Sequence, residues 1–279
     1  MVTAKGLSLE QRLYRDYAEL YDLAEKIRTF SKEHINAEIV PLPPPDENVV
    51  LTFFVVRAHT TFCAGLELCR RGHAIAAVLL ARNLVEELIT LRYILDNPDA
   101  ATRYAEYEHV LKYRRLHRMQ LLKSPLFDPL RNGWLQGAQK INEEYERVKN
   151  TYSLDFQARF WAGKGLTIER MAEKDAKSKD LYNYYYAALS SFVHGTVETS
   201  SYFMELTDDD GVLFYPGATE KLQPEVLRIL LTVFPLFWDE LSIRIGKPTW
   251  VEVCETVKND YFEHFSRNPA KAAETPPSA

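Results

Sequence analysis

The chain has 279 residues, of which 46% are hydrophobic and 26% charged, and its formal net charge at pH 7 is −5. This length and composition are typical of a soluble globular protein with one large domain or two small ones. The negative net charge argues against a protein coated in nucleic acid, although a local basic cleft remains compatible with it.

Apolar residues recur at helical spacing along most of the chain. A first helix is predicted over residues 8–39, and the prolines at 41–45 end it. Further helices are predicted over residues 46–71, 73–96, 99–123, 134–151, 167–175, 178–205, 223–245 and 249–266. One strand pair is predicted over residues 208–217, and it is too short to make a sheet domain.

Short connections between long helices predict antiparallel neighbours, and hence an all-α, up-and-down helical bundle with flanking helices at both ends. Four segments are predicted: an N-terminal helix with a proline-rich connector, a core bundle, a hairpin insert with a C-terminal helical pair packed on the core, and a disordered tail. Their bounds are 1–45, 46–206, 207–266 and 267–279. The tail is small, polar and proline-bearing, as disordered segments are.

The cysteine content and the apolar stretches indicate where the protein functions. Three cysteines, an odd number, do not make a disulfide framework, and free thiols are typical of a reducing compartment. The first residues contain no apolar run of the kind that a secretory signal needs. The most apolar stretch, residues 74–95, contains charged side chains that a lipid-facing helix would exclude: Arg82, Glu86, Glu87 and Arg92. We therefore expect a cytoplasmic protein with no membrane span.

Polar residues interrupt the apolar faces of two predicted helices. Arg82 and Glu86 lie one turn apart on the third helix, where they can pair. On a later helix, His194 shares a face with Ser190, and Tyr186 lies beside them. Because a buried charge without a partner is costly, we expect the two polar faces to meet inside the bundle.

Four stretches of the chain together resemble the bacterial all-helical family named domain of unknown function 5677. They are ARNLVEELITLRYILDNP, RYAEYEHVLKYRRLHRM, FWAGKGLTIERMAEK and LYNYYYAALSSFVHGT, and the similarity covers roughly residues 50–205. Through its helix with Arg and Glu and its late helix with Ser and His, this family is in turn similar to the HEPN superfamily of four-helix bundles. Many HEPN proteins are metal-independent ribonucleases of toxin and phage-defence systems. The resemblance thus implies a HEPN-like bundle.

The resemblance also implies a catalytic site, made of His194, Arg82, Glu86 and Ser190. His194 is then the base for the RNA 2′-hydroxyl, Arg82 the cation that faces the phosphate, and Ser190 a donor to the developing charge. Glu86 orients Arg82 or the imidazole, and neither a metal nor another cofactor takes part. Most HEPN nucleases are dimers, so a homodimer with the late helices near the twofold axis is implied as well.

One position departs from the HEPN pattern. HEPN nucleases carry an arginine, then four to six residues, then the catalytic histidine, and the matching positions here hold Ala187, Ala188 and Leu189. Arg82, from another helix, would have to replace that arginine. The alternative is a non-enzymatic helical module that binds a partner protein or a small ligand, in which the same polar side chains form a structural network that fixes helix register.

The predicted helix 99–123 combines basic residues with tyrosines, a mixture that binds RNA through phosphate contacts and base stacking. The residues predicted to bind RNA are Arg103, Tyr107, Lys112, Arg114, Arg115 and Arg118. The alternative is a solvated helix face that binds no ligand.

Two motifs have the spacing of metal ligands but lack the remaining ligands. Glu106 and His109 form the Glu-x-x-His pair of a di-iron bundle, and no second such pair occurs. His59 and Cys63 lie one turn apart, but the other Cys–His pair of this helix points in a different direction. We expect no metal site, and we expect buried thiols.

Overall fold

The structure is a computed structural model, and it describes residues 7–39, 46–153, 161–162, 165–195, 197–206, 212–214 and 217–267. In these ranges the fold is predominantly helical, so the all-α prediction is confirmed. The prolines at 41–45, the loop 207–211 and the tail 268–279, for which we made predictions, lie outside the described residues.

The helices of the first half are α1 (Leu9–Asp16), α2 (Ala18–His34), α3 (Asp46–Arg70), α4 (Ala74–Asp96), α5 (Pro98–Leu121), α6 (Asp128–Gln136) and α7 (Ala138–Tyr152). Those of the second half are α8 (Ile168–Ala172), α9 (Ala176–Leu181), α10 (Ala187–His194), α11 (Gln223–Ile245) and α12 (Pro248–Arg267). The strands are β1 (Met204–Leu206) and β2 (Val212–Phe214).

The first predicted helix is divided in two. Ser8 and Gln11 form a capping box at the start of α1, which fixes where the helix begins. Tyr17, with φ −123° and ψ 23°, leaves the helical conformation and separates α1 from α2. The last turn, residues 35–39, is π-helical. The predicted helix 134–151 is divided in the same way, between α6 and α7 at Gly137.

Helix α4 lies at the centre of the fold. It packs against α3, α5, α10 and α11. Its alanines at 77 and 81 and its leucines at 84 and 88 are fully buried, and the small side chains allow neighbouring helices to come close. Because α4 is surrounded in this way, its polar side chains meet several neighbouring elements: Arg82 and Glu86 contact Tyr186, Glu87 contacts α3, and Arg92 contacts α11.

The two C-terminal helices pack onto the same core as the N-terminal ones. Helix α11 contacts α3 and α4, and α12 contacts α2 and α11. Phe234 and Trp238 of α11 are fully buried, and the ring of Phe234 stacks on that of Phe62 at a centroid distance of 4.3 Å. One continuous cluster of buried apolar side chains therefore extends from α2 to α12.

The helix predicted over 178–205 is wrong in its second half. After α9 the chain passes through a π-helical segment, residues 182–186, into α10. Helix α10 ends at His194 because Gly195 has φ 59° and ψ 44°. Glycine adopts this left-handed conformation at little cost and so ends helices. Residues 197–202 form a 3₁₀ helix instead of continuing α10.

The strands β1 and β2 pair antiparallel, with Met204 opposite Phe214 and Leu206 opposite Val212. The first strand begins before the predicted range 208–217, within the range that we predicted to be helical. All three side chains of β2 are exposed. The pair is therefore an appendage of the bundle rather than part of its core.

Helix α3 is long and apolar enough to cross a membrane by length and composition alone. The most apolar 18-residue window of its segment Asn48–Arg70 has a mean hydropathy of 1.6, and 44% of that window is buried inside the protein. Core helices of soluble proteins also meet these criteria, so the observation is weak evidence. The expected absence of a membrane span stays a prediction.

Candidate functional site

The two predicted polar faces meet where α4 packs against α10 and the π-helical segment before it. Arg82 Nε donates to Ser190 Oγ at 3.2 Å, and Arg82 Nη2 donates to the Tyr186 hydroxyl at 2.5 Å. Arg82 Nη1 lies 3.1 Å from Glu86 Oε2. The Tyr186 hydroxyl in turn donates to Glu86 Oε2 at 3.2 Å. We call these four side chains the Arg82 cluster.

Helical spacing places the members of the Arg82 cluster. Arg82 and Glu86 are four residues apart on α4, and Tyr186 and Ser190 are four residues apart across the start of α10, so each pair occupies one helix face. Ser190 Oγ also donates to the backbone oxygen of Tyr186 at 2.8 Å, which holds its side chain toward α4. The π-helical segment just before α10 widens the helix there, a feature often found at functional sites.

The Arg82 guanidinium is largely buried, and neighbouring side chains compensate its charge. Its side chain is 17% exposed and that of Glu86 is 32% exposed. The guanidinium carbon lies 4.5 Å from the centre of the Tyr186 ring, which adds a cation–π contact to the hydrogen bonds. Because three side chains bind the guanidinium, the cost of removing its charge from water is offset.

Tyr186 donates hydrogen bonds over the whole physiological pH range. Burial raises the pKa of Tyr186 to about 12, and the neighbouring Glu86 carboxylate acts in the same direction. The phenol therefore stays protonated and can donate either to Glu86 or to an anion placed beside it.

His194 is not part of the Arg82 cluster. It is the last residue of α10, exposed to solvent, one turn beyond Ser190. In the described part of the chain it forms no hydrogen bond or ion pair. The structure thus brings together Arg82, Glu86 and Ser190 of the predicted catalytic residues, and it leaves His194 at the edge of their surface.

The residues predicted to bind RNA on α5 divide into two groups. Tyr107 is buried, and Arg114 Nη1 donates to its hydroxyl at 3.1 Å. Arg103 is partly buried, with its Nε inaccessible to solvent. Tyr107 is thus buried while Arg103 and Arg114 are partly buried, and the expectation that these residues bind RNA stays a prediction.

The other three predicted residues of α5 lie on the surface. Lys112 forms an ion pair with Glu108, and the Arg115 guanidinium carbon lies 5.4 Å from the ring centre of Trp134 on α6. Arg118 is exposed. These three side chains are placed where a phosphate backbone could reach them.

Glu87 is a buried carboxylate to which the sequence pattern assigned no functional role. It follows Glu86, but helix geometry turns it by about 100° into the space between α3, α4 and α5. Its side chain is 7% exposed, and Arg57 Nε lies 2.5 Å from its Oε1. Burial raises the pKa of Glu87 to about 7, which the Arg57 charge only partly opposes. The signal in the sequence was a pair of adjacent glutamates within an apolar helix.

The predicted Glu-x-x-His pair is used for ion pairing. Glu106 binds Arg147 of α7, and His109 Nε2 lies 3.7 Å from Glu106 Oε2. Among the described residues no group of three or more His, Cys, Asp or Glu side chains lies together. The described side chains therefore offer no set of ligands for a metal.

The Arg82 cluster lies within a stretch that matches a family model. The model is that of DUF5677, described as a family of unknown function, and it matches residues 48–212, more than half of the chain. The chain belongs to the DUF5677 family. No curated protein and no solved structure matches the chain.

The DUF5677 match covers the helices that build the Arg82 cluster but not all of the core. It extends from the start of α3 into β2, so both α4 and α10 lie within it. Helices α2, α11 and α12 lie outside it, although their side chains belong to the same buried cluster. The Arg82 cluster thus lies within the matched stretch, and α4, which carries Arg82, also packs against α11 outside it.

Proposed function

We propose that this DUF5677 protein is a metal-independent RNA-cleaving protein of a bacterial toxin or phage-defence type, with a HEPN-like bundle, that acts in the cytoplasm as a homodimer. One observation carries the proposal. The exposed imidazole of His194 lies one helical turn from Ser190, whose hydroxyl is bound by the Arg82 guanidinium. A base, a cation and a hydroxyl group therefore share one surface.

Cleavage of RNA without a metal needs a base for the 2′-hydroxyl and positive charge at the phosphate. His194 is accessible and makes no contact within the described residues that would occupy its nitrogens. In this scheme it takes the 2′-hydroxyl proton while the 2′-oxygen attacks phosphorus. The bond from phosphorus to the 5′-oxygen breaks, that oxygen takes up a proton from water, and His194 releases its proton to water. The other product is a cyclic phosphate.

In this scheme Arg82 acts on the phosphate through the hydroxyl groups of Ser190 and Tyr186. It is only 17% exposed, so a phosphate oxygen reaches the cluster through the hydroxyls of Ser190 and Tyr186. Both hydroxyls accept from Arg82 and can turn their own protons toward an anion. The charge of Arg82 then favours the anion while the hydroxyls contact it.

A homodimer is supported by apolar side chains around the same surface. Leu79 precedes Arg82 by one turn, and Val193 precedes His194; both side chains are exposed. Exposed apolar groups around a polar site are typical of an interface. A second copy seated there would place two His194 side chains in one cleft. The surface cations Lys112, Arg115 and Arg118 would then contact the RNA backbone.

The alternative is a non-enzymatic module that binds a partner protein or a small ligand, in which the Arg82 cluster is a structural network. A specific observation favours it: Arg82 already has three partners, and Tyr186 already bridges Arg82 and Glu86. A network satisfied in this way fixes the register of α4 against α10 without any ligand.

Incubation of the purified protein with end-labelled RNA in EDTA separates the two functions. We expect cleavage by the wild type, a decrease of about 100-fold or more in His194→Ala, and no change in His73→Ala. His73 is the matched control, because it is an exposed histidine at the start of α4, outside the Arg82 cluster.

Cleavage that persists in His194→Ala, or that EDTA abolishes, would contradict the assigned roles. Binding of RNA without cleavage would reduce the proposal to an RNA-binding protein. Neither binding nor cleavage would favour the non-enzymatic module.

A further inference from the structure

Helices α2 and α3 bring together a serine, a histidine and a cysteine away from the Arg82 cluster. Ser31 Oγ lies 2.8 Å from His59 Nδ1, and His59 Nε2 lies 3.5 Å from Cys63 Sγ. His59 and Cys63 are one turn apart on α3, so the helix itself directs the imidazole toward the thiol. We call these three side chains the Cys63 relay.

The order of the Cys63 relay is that of a nucleophile, a base and an orienting group. When His59 Nδ1–H donates to Ser31 Oγ, the lone pair on Nε2 is free to accept the proton of the Cys63 thiol. Ser31 is fully buried, so its hydroxyl is held in place by the packing of α2 on α3. Burial lowers the pKa of His59, with smaller effects of Arg28 and Lys32, which keeps the imidazole unprotonated at pH 7, so that a ring nitrogen can accept a proton.

Cys63 is the most accessible of the three thiols. Cys69 and Cys254 are fully buried, whereas Cys63 is partly exposed. Burial raises the pKa of Cys63, so its resting form is the thiol and attack requires a base. The described structure places a histidine against Cys63 and none against the other two cysteines.

Charged groups from both helices surround the Cys63 relay. Glu25 of α2 binds Arg28 and also Arg70 of α3, so its charge is compensated. Lys32 forms no ion pair with any described residue. Arg28 and Arg70 favour the Cys63 thiolate, while Glu25 opposes it. The remaining charge beside the relay is positive.

An open cavity of about 590 Å³ lies on α2 next to these cations. Its described lining is Arg28, Thr29, Lys32, Glu33, Asn36 and Ala37. Arg28 is already paired with Glu25, so Lys32 is the cation of the cavity that remains to attract a small anionic ligand. Arg28 and Lys32 line the cavity and also act on the charge of His59, so the cavity and the relay experience the same positive charge.

We propose that Cys63 is a site of reversible covalent modification, where the thiol, assisted by His59, forms a mixed disulfide with an anionic disulfide of low molecular weight. The Sγ proton moves to His59 Nε2 as Sγ attacks one sulfur of the disulfide. A new S–S bond forms, and the old S–S bond breaks. Its electron pair leaves with the second sulfur, which takes up the proton. Cys63 is oxidised, and the leaving half of the disulfide is reduced to a thiol.

The test uses the full chain in its folded state and two reagents. 5,5′-Dithiobis(2-nitrobenzoate) is an anionic disulfide, and 4,4′-dithiodipyridine is a neutral one. Absorbance follows the released thiol, and intact mass counts the adducts. We expect a single fast adduct with either reagent and none in Cys63→Ser, because Cys69 and Cys254 are fully buried.

Two variants separate the contribution of His59, as the base, to the reaction rate from the contribution of the cations. His59→Gln should lower the rate with both reagents about tenfold or more and make it fall about tenfold per pH unit below pH 7. Lys32→Gln should lower the rate with the anionic reagent about two- to threefold and leave that with the neutral reagent unchanged. Lys26→Gln is the matched control, because Lys26 is exposed on α2 and outside the cavity.

Ser31→Ala gives a second measure of the base if His59→Gln does not fold, and its rate should also decrease with both reagents. The proposal is overturned if Cys69 or Cys254 reacts first, if removal of His59 or Ser31 leaves the rate and its pH profile unchanged, or if Lys32→Gln affects both reagents equally. These readouts do not depend on RNA, so the proposal stands or fails separately from the proposed function.

Discussion

Two neighbouring glutamates on α4 have very different surroundings. Glu86 faces α10, is about one-third exposed, and binds both Arg82 and the Tyr186 hydroxyl. Glu87 faces α3 and α5, is 7% exposed, and has Arg57 as its ionic partner. The rotation between consecutive residues of a helix is enough to place one carboxylate in a satisfied network and the next in a site where it titrates near pH 7.

The difference between these glutamates shows that a charged residue in a core helix can lie in a compensated or in a poorly compensated environment. The cost of burying a charge depends on how many groups compensate it, and not on the residue type. Glu86 and Arg82 stabilise the contact of α4 with α10, whereas Glu87 makes the stability of the bundle depend on pH. Three substitutions test this contrast.

Glu87→Gln should have the largest effect, and it should depend on pH. The pKa of Glu87 in the folded protein is about 7, against 4.5 for an unperturbed glutamate. Between these values the folded state keeps a proton that the unfolded state has lost, so the stability of the wild type falls as the pH rises from 4.5 to 7. The loss amounts to at most about 3 kcal/mol.

Urea titrations at pH 5 and pH 8 measure this effect of Glu87. The free energy of unfolding of Glu87→Gln should decrease less between these two values than that of the wild type. Parallel pH dependence of the two proteins would show that Glu87 titrates alike in the folded and unfolded states.

Arg82→Met should have the second-largest effect. The methionine fills the space of the side chain but leaves Glu86 without its cation and two hydroxyls without their donor. Because Glu86 is partly exposed, the expected loss is about 2 kcal/mol, less than for a fully buried ion pair. Urea denaturation measures it. Arg118→Met is the control, since Arg118 is exposed and forms no ion pair with described residues; an equal loss in both variants would contradict the role of the cluster.

Tyr186→Phe should have the smallest effect, a loss of about 1 kcal/mol, because it removes one hydroxyl that bridges Arg82 and Glu86 while keeping the ring. Thermal or urea unfolding measures it. Tyr184→Phe is the matched control, since Tyr184 is exposed and should tolerate the change. If the two variants were equally stable, the hydroxyl of Tyr186 would add nothing to the network.

Much of this fold follows from the sequence because helical periodicity is strong. Most predicted helices are present, and the meeting of Arg82 with Ser190 follows from the cost of burying a charge alone. The end of α10 did not follow, because the polar pattern continues past His194 while the conformation of Gly195 decides where the helix stops.

Side-chain environments were harder to predict than helices. The spacing of Tyr107 and Arg114 is compatible with an exposed RNA-binding face, yet Tyr107 is buried and its hydroxyl accepts a hydrogen bond from the partly buried Arg114. His59 and Cys63 were visible as neighbours on one helix, but Ser31 comes from α2, 28 residues earlier in the chain than His59. Contacts between helices depend on tertiary packing, which spacing along one helix does not specify.

The packing of α11 on α3 and α4 has a consequence for how this family is delimited. The stretch that matches the DUF5677 model ends before α11, yet Phe234 of that helix stacks on Phe62 of α3, and Trp238 packs against Phe30 of α2 and Trp250 of α12. A fragment cut at residue 212 would expose this apolar surface to water. In this chain the buried core therefore extends beyond the stretch that the family model matches.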